Sequence, residues 1–177
     1  IYPGGDDEEI RRVLKEKRLY REYRIMVAGH THKRLVRLLG TLTVVNPGTL
    51  LWDKEPGFAV ADVEENTVQF YDLTLFTKGN PDEQRMKVDR SELGPYFAHT
   101  AIVKEKDAAA YSRLVAERAL ARDLTWMIGN SPKSDINPAL EAGLNAVLVP
   151  HPHTWVLEHQ DLRESGNGKF LRVERFA

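Results

Sequence analysis

Acidic Asp6, Asp7, Glu8 and Glu9 precede apolar Ile10, Val13 and Leu14. Acids in a first turn suit the helix dipole, so the pattern predicts a helix there. The helix gives way to Ile25-Met26-Val27-Ala28, a short apolar run that reads as a buried strand, and this run ends in Gly29-His30-Thr31-His32. Two β-rich runs, residues 35–39 and 41–45, lie on either side of Gly40 and predict a hairpin. Asn46-Pro47-Gly48 stops the second run as a turn. Residues 58–63 and 67–71 flank Glu64-Glu65-Asn66 and predict a second antiparallel hairpin.

From about Leu73 the pattern changes. Strands are predicted over residues 73–76, 100–103, 125–128 and 146–149, with helices over 81–93, 108–121 and 135–142 between them. Gly143 closes the last helix, Pro150 closes the last of these strands, and a final strand is predicted over 169–176. Alternation of this kind builds parallel βαβ units. The expected fold class is therefore α/β: antiparallel β-hairpins with one helix in residues 1–72, and a parallel Rossmann-like βαβ sheet in residues 73–177. No Gly/Pro/Ser-rich spacer separates the parts at Asp72-Leu73-Thr74. One long strand from Thr67 through Phe76 is expected to run from the hairpin into the second sheet.

Composition narrows the partners rather than the fold. The 177 residues are 42% hydrophobic and 29% charged, with a formal net charge of −1. Residues 1–72 hold 11 basic and 12 acidic side chains, and the rest hold 14 and 14. Neither part has the one-sided charge of a nucleic-acid or membrane-surface binder. Cysteine is absent, which excludes disulfides, and no apolar run approaches the roughly 20 residues of a membrane span. The chain starts Ile1-Tyr2-Pro3-Gly4, which is neither a signal peptide nor a Met start. A cytoplasmic protein is expected, processed or cut from something longer.

Gly29-His30-Thr31-His32 is the first candidate for chemistry. Two histidines one residue apart at a rigid strand end can turn both imidazoles toward one metal cluster, and a dinuclear centre would activate water and clamp a phosphate. A pair of solvated loop histidines is the plainer alternative. With the strand before it, the hairpin, and Asn46-Pro47-Gly48-Thr49 after it, residues 6–72 resemble the C-terminal half of calcineurin-like metallophosphoesterases. The resemblance implies that His30 and His32 are metal ligands, for Mn²⁺ or another divalent transition metal. The family's other ligand segments, D-x-H and G-N-H, do not occur, and Gly5-Asp6 reads better as a helix cap.

The second part carries three separated signals. Leu75-Phe76-Thr77-Lys78-Gly79 ends a predicted strand with a hydroxyl, a cation and a glycine, the makings of a phosphate cradle. Lys104 and Lys106 open a helix, where a lysine can neutralise phosphoryl charge. Gly129-Asn130-Ser131-Pro132-Lys133-Ser134-Asp135 follows an apolar strand and puts a carboxylate where Mg²⁺ would sit. Each has a dull alternative: Thr77 a turn residue, the lysines solvated charges, Asp135 an N-cap. Taken together with Gln84, Lys87, Phe97 and the run from Val149 to Trp155, residues 73–165 resemble haloacid-dehalogenase-like (HAD) hydrolases. The resemblance implies catalytic roles for Thr77 and Lys106 (or Lys104, which the spacing does not exclude). It also implies phosphate binding by Thr77, Lys78, Gly79, Asn130 and Ser131, and Mg²⁺ at Asp135. His151, His153 and His159 read as a surface loop rather than a zinc site.

The family's nucleophile is an aspartate in a D-x-D segment, and no D-x-D occurs in the chain; Asp53-Lys54-Glu55 and Asp62-Val63-Glu64 are the nearest approximations. Two readings stay open. One is a Mg²⁺-dependent phosphoester hydrolase, impaired by the missing nucleophile and two-metal ligands and acting on a small phosphorylated substrate. The other is a non-catalytic fusion remnant or fragment that binds or supports. Neither nucleic acid nor membrane is an expected partner; oligomerisation or a complementing chain is compatible with both readings.

Overall fold

A computed structural model describes residues 8, 12, 15–16, 23–29, 31–50, 56–163 and 168–174. The chain divides into two compact units, residues 1–75 with 87–100 and residues 76–86 with 101–177. Of the helix predicted near the start, Glu8, Arg12, Lys15 and Glu16 are described; each is helical and exposed. The remainder of that helix lies outside the described residues, as does His30.

In the first unit, β1 (Ile25–Val27), β2 (Arg34–Leu39) and β3 (Leu42–Pro47) form a sheet in the order β1-β3-β2. β2 and β3 make the predicted antiparallel hairpin, with Val36 opposite Val45, while β1 runs parallel to β3 with Met26 opposite Val44. Gly40 turns the hairpin at φ +67°, a conformation without steric cost only for glycine. The central strand β3 is buried from Leu42 to Asn46, and Leu39, Leu42 and Val44 pack with Met26 and Ala28 into a small core. The second predicted hairpin is β4 (Gly57–Asp62) and β5 (Thr67–Asp72). Its turn is built by Asp62, whose Oδ1 accepts the amides of Glu64 and Glu65, both at 2.9 Å, with Asn66 left-handed at φ +52°. Phe58 and Tyr71 stack across the pair at 5.1 Å.

The expected long strand is two strands. β5 ends its ladder with β4 at Asp72, opposite Gly57, and β6 (Thr74–Lys78) pairs instead with β7 (His99–Val103). The change of partner occurs at Leu73, whose carbonyl already accepts the Ala98 amide at 2.8 Å. Helix α1 (Pro81–Ser91) is capped by Asn80, which accepts the Asp82 and Glu83 amides, and buries none of its residues.

In the second unit β8 (Trp126–Gly129), β9 (Asn145–Leu148) and β10 (Phe170–Arg172) form a parallel sheet in the order β10-β9-β8. Helix α2 (Ala108–Glu117) starts where Asp107 accepts the Ala110 amide at 2.7 Å, and it buries Ala110, Tyr111, Leu114 and Val115 along one stripe. It ends earlier than predicted because Ala119 is left-handed (φ +49°) and the Leu120 amide turns back to Val115 O. The helix predicted over 135–142 is a π-helical turn, Pro132–Ile136, followed by α3 (Asn137–Glu141). The last strand, Phe170–Arg172, starts one residue later than expected and does not include Val173 or Glu174; residues 175 and 176 of the expected strand lie outside the described residues. Phe76 meets Tyr111 edge-on at 4.9 Å, and these two with Leu114, Val115, Ala139 and Leu144 centre the core beneath the strand ends.

Candidate functional site

The residues that sequence analysis singled out in the second part gather at the C-terminal ends of β6 and β8. At the end of β6, Thr77 Oγ1 donates to Gln84 Oε1 at 3.0 Å, and the Gly79 amide donates to Val103 O at 2.9 Å. Gly79 has φ +133°, and a Cβ there would stand 2.9 Å from Gln84 Nε2, so glycine is needed for the turn from β6 into α1.

Lys106, two residues before the start of α2, reaches back across the core. Its Nζ donates to Phe76 O at 3.1 Å and forms a short ion pair with Asp135 Oδ1. The side chains of Lys106 and Asp135 are only 9% and 8% exposed, so water screens the pair little. Asp135 Oδ2 accepts the Ser131 amide at 3.0 Å. This fold-back depends on Gly129, where a Cβ would run into the Asp135 carboxylate. Beneath, the buried Tyr111 hydroxyl donates to Ser134 O (3.0 Å) and Asp135 O (3.2 Å). Burial, with the Asp135 charge added, pushes the Tyr111 phenol well above its ordinary value. Lys104 is exposed.

Beside this pair lies a second polar knot that sequence analysis missed. Glu158, at the end of the 3-10 turn Val156–Glu158, takes the Lys78 ammonium on Oε1 at 2.8 Å. Its Oε2 accepts the hydroxyls of Ser131, at 2.6 Å, and Ser134. Lys78 also donates to Ser134 Oγ at 2.7 Å, and Ser131 Oγ accepts the Ser134 amide at 2.9 Å. Burial opposes the charged carboxylate, but the bonds from Lys78, Ser131 and Ser134 and the Lys78 charge outweigh it and hold Glu158 down to about 2. Burial likewise works to lower the Lys78 pKa, and Glu158, then Glu105, overcome it and raise it above its ordinary value. Asn130 turns its amide to Thr154 Oγ1 at 2.7 Å. Nothing in the Trp155-Val156-Leu157-Glu158 run marks that carboxylate as a site residue; only the packed chain brings it to Lys78.

In the first unit His32 is half-buried with φ +57°. The buried side chain of Asn46, read above only as a turn residue, donates to Thr31 Oγ1 (2.8 Å) and Gly29 O (3.4 Å) and accepts the Gly48 amide (3.0 Å). It thereby ties Gly29 and Thr31 to the end of β3. His151 and His153 sit 5.5 Å apart on an exposed loop.

Comparison with known proteins finds one matching family model and a similar solved structure. Residues 2–66 match the model of the calcineurin-like phosphoesterase superfamily domain. A haloacid dehalogenase-like family hydrolase from Xanthomonas campestris is similar at 34% identity and a TM-score of 0.45, over 54% of this chain and 39% of that one. The chain thus spans well under half the length of that hydrolase. No curated protein matches. Among the described residues no helix is long and apolar enough to cross a membrane.

Both resemblances imply a metal, and the donor sets can be tested for it. Asp135 gives one oxygen to an ammonium and the other to an amide, and among the described residues no three His, Cys, Asp or Glu side chains group as a metal site. A hard divalent cation draws on several oxygen donors, so Asp135 as it is held here does not fit one. The His30/His32 pair lies partly outside the described residues.

Proposed function

We propose that the chain is a phosphoester-hydrolase-type protein that binds the phosphoryl group of a small phosphorylated ligand at the ends of β6 and β8, with hydrolysis weak or absent in this chain by itself. The observation that carries the reading is the buried Lys106–Asp135 pair, suspended between Phe76 O at one strand end and the Ser131 amide at the other. A cation held at such a point, lining one cleft with Lys78 and Ser134, supplies donors of the kind that a phosphoryl oxygen needs. Lys106 rather than Lys104 takes this role in the proposal, because Lys106 is the one that contacts Asp135. The weak hydrolysis follows from the absence of D-x-D in the sequence and from an Asp135 whose two oxygens are already engaged.

Titration with inorganic phosphate followed by NMR, together with turnover of an aryl phosphate with and without Mg²⁺ or Mn²⁺, tests the proposal. Phosphate is expected to move the Thr77, Lys106 and Ser131 signals, and Thr77→Val is expected to weaken binding severalfold. Turnover at the buffer rate is compatible with binding alone; a phosphate titration that moves none of these signals sinks the reading. Aryl phosphate turnover that survives Asp135→Ala but not His30→Ala would transfer the activity to the first unit.

A further inference from the structure

Glu158 is bound as an anionic ligand would be. One ammonium and two hydroxyls converge on its two oxygens: Lys78 on Oε1, and Ser131 and Ser134 on Oε2. All three donors belong to β6 or to the turn between β8 and α3, whereas Glu158 arrives from a separate segment 24 to 80 residues further on. Charge-assisted bonds to a carboxylate and to a phosphoryl oxygen have the same geometry, and a cradle of this kind does not distinguish the two by shape alone.

We infer that Lys78, Ser131 and Ser134 form an oxyanion site whose resident ligand in this chain is the Glu158 carboxylate, and that a phosphoryl anion binds there by displacing it. The inference deepens the proposed function and rests on it, since it concerns the regulation of the same strand ends.

The surroundings support an exchangeable plug. The Glu158 side chain is 14% exposed, so its carboxylate is not sealed off from solvent. The backbone keeps other ties, Lys133 Nζ to Leu157 O at 3.2 Å and Ser131 Oγ to Glu158 O at 3.4 Å, and the Asn130 side chain donates to the Thr154 hydroxyl. Trp155, Val156 and Leu157 just before it are 64%, 70% and 56% exposed, so little apolar packing holds the turn down. A cleft of about 540 Å³ opens beside the cradle; its wall holds the cations Lys78, Lys106, Lys133 and Arg163 and the carboxylates Glu105, Asp107 and Glu141. The charges facing Lys78 are Glu158 and, at 3.6 Å, the exposed Glu105, so loss of the Glu158 charge leaves Lys78 underpaired and attractive to an anion.

The test compares inorganic phosphate affinity, measured by calorimetry at constant ionic strength, in the parent, Glu158→Gln, Glu158→Ala and Lys78→Ala/Glu158→Gln. Removing a carboxylate that competes through charge-assisted bonds is expected to tighten phosphate binding by at least about tenfold in both single variants. The double variant is expected to lose that gain. In the parent, phosphate is expected to shift the side-chain carboxyl carbon of Glu158 and the Ser131 and Ser134 amides in NMR. This measurement needs no variant and decides the matter if the variants fail to fold. Equal or weaker affinity in the single variants, or phosphate binding that leaves the Glu158 carbon unmoved, overturns the inference. If Thr77→Val leaves the tightened affinity of Glu158→Gln intact, the plug stands and the proposed function falls. If Glu158→Gln binds phosphate no better than the parent while Thr77→Val weakens it, the reverse holds.

Discussion

Replacing Lys106 by Met isolates the energetics of the site. The Lys106–Asp135 pair is over nine-tenths buried on both sides, so the ammonium cannot be replaced by water at small cost. Lys106→Met keeps the length of the stem but leaves Asp135 charged with the Ser131 amide as its remaining side-chain partner, and takes the Lys106 donor from Phe76 O. Breaking a buried pair from one side costs about 3–5 kcal/mol, much of it the desolvation of the orphaned ion. Lys106→Met/Asp135→Asn removes that orphan while Asn still accepts the Ser131 amide, so it is expected to recover about 2 kcal/mol or more of the loss. Urea unfolding followed by far-UV circular dichroism measures both. A Lys106→Met loss below about 1 kcal/mol, or a double variant no more stable than the single one, would refute the claim that this pair is a desolvated unit.

Three further expectations follow from the same geometry. Because the pKa of Glu158 is depressed from 4.5 to about 2, its contribution is complete above about 4.5 and is lost as pH falls toward 2; after solvent screening it amounts to about 1–2 kcal/mol. A carbon-13 titration of the Glu158 carboxyl checks this, and a midpoint near 4.5 would contradict it. Gly129→Ala drives a methyl group into the Asp135 carboxylate and is expected to cost about 2 kcal/mol or more, read as a lowered urea midpoint; an unchanged midpoint counts against the observed fold-back. Tyr111→Phe removes the hydroxyl that serves Ser134 O and Asp135 O, at a cost of about 1–2 kcal/mol, with faster exchange expected for the amides of the Pro132–Ile136 turn.

The elements were legible where local chemistry suffices. Asp62 and Asn66 specify a hairpin turn, Asp107 caps a helix, and β-rich runs about Gly40 specify another hairpin, because each acts on neighbours within a few residues. The π-helical turn before α3 was not legible. It answers to the Tyr111 hydroxyl, more than twenty residues away, and to an Asp135 that reaches back to Ser131. The break at Leu73 was hidden for the same reason, since the residue that takes its carbonyl is Ala98.

Thr77, Lys78, Lys106, Ser131 and Asp135 are picked out in the chain by its resemblance to the HAD hydrolases, and the fold joins Lys106 to Asp135 and Asp135 to Ser131. The sequence favours Lys106 without excluding Lys104, and only packing brings Lys106 to Asp135 and leaves Lys104 in water. Sequence alone also gave Glu158 no role. A carboxylate's function depends on which donors surround it, and those donors lie 24 to 80 residues away along the chain, a separation that only the folded chain closes.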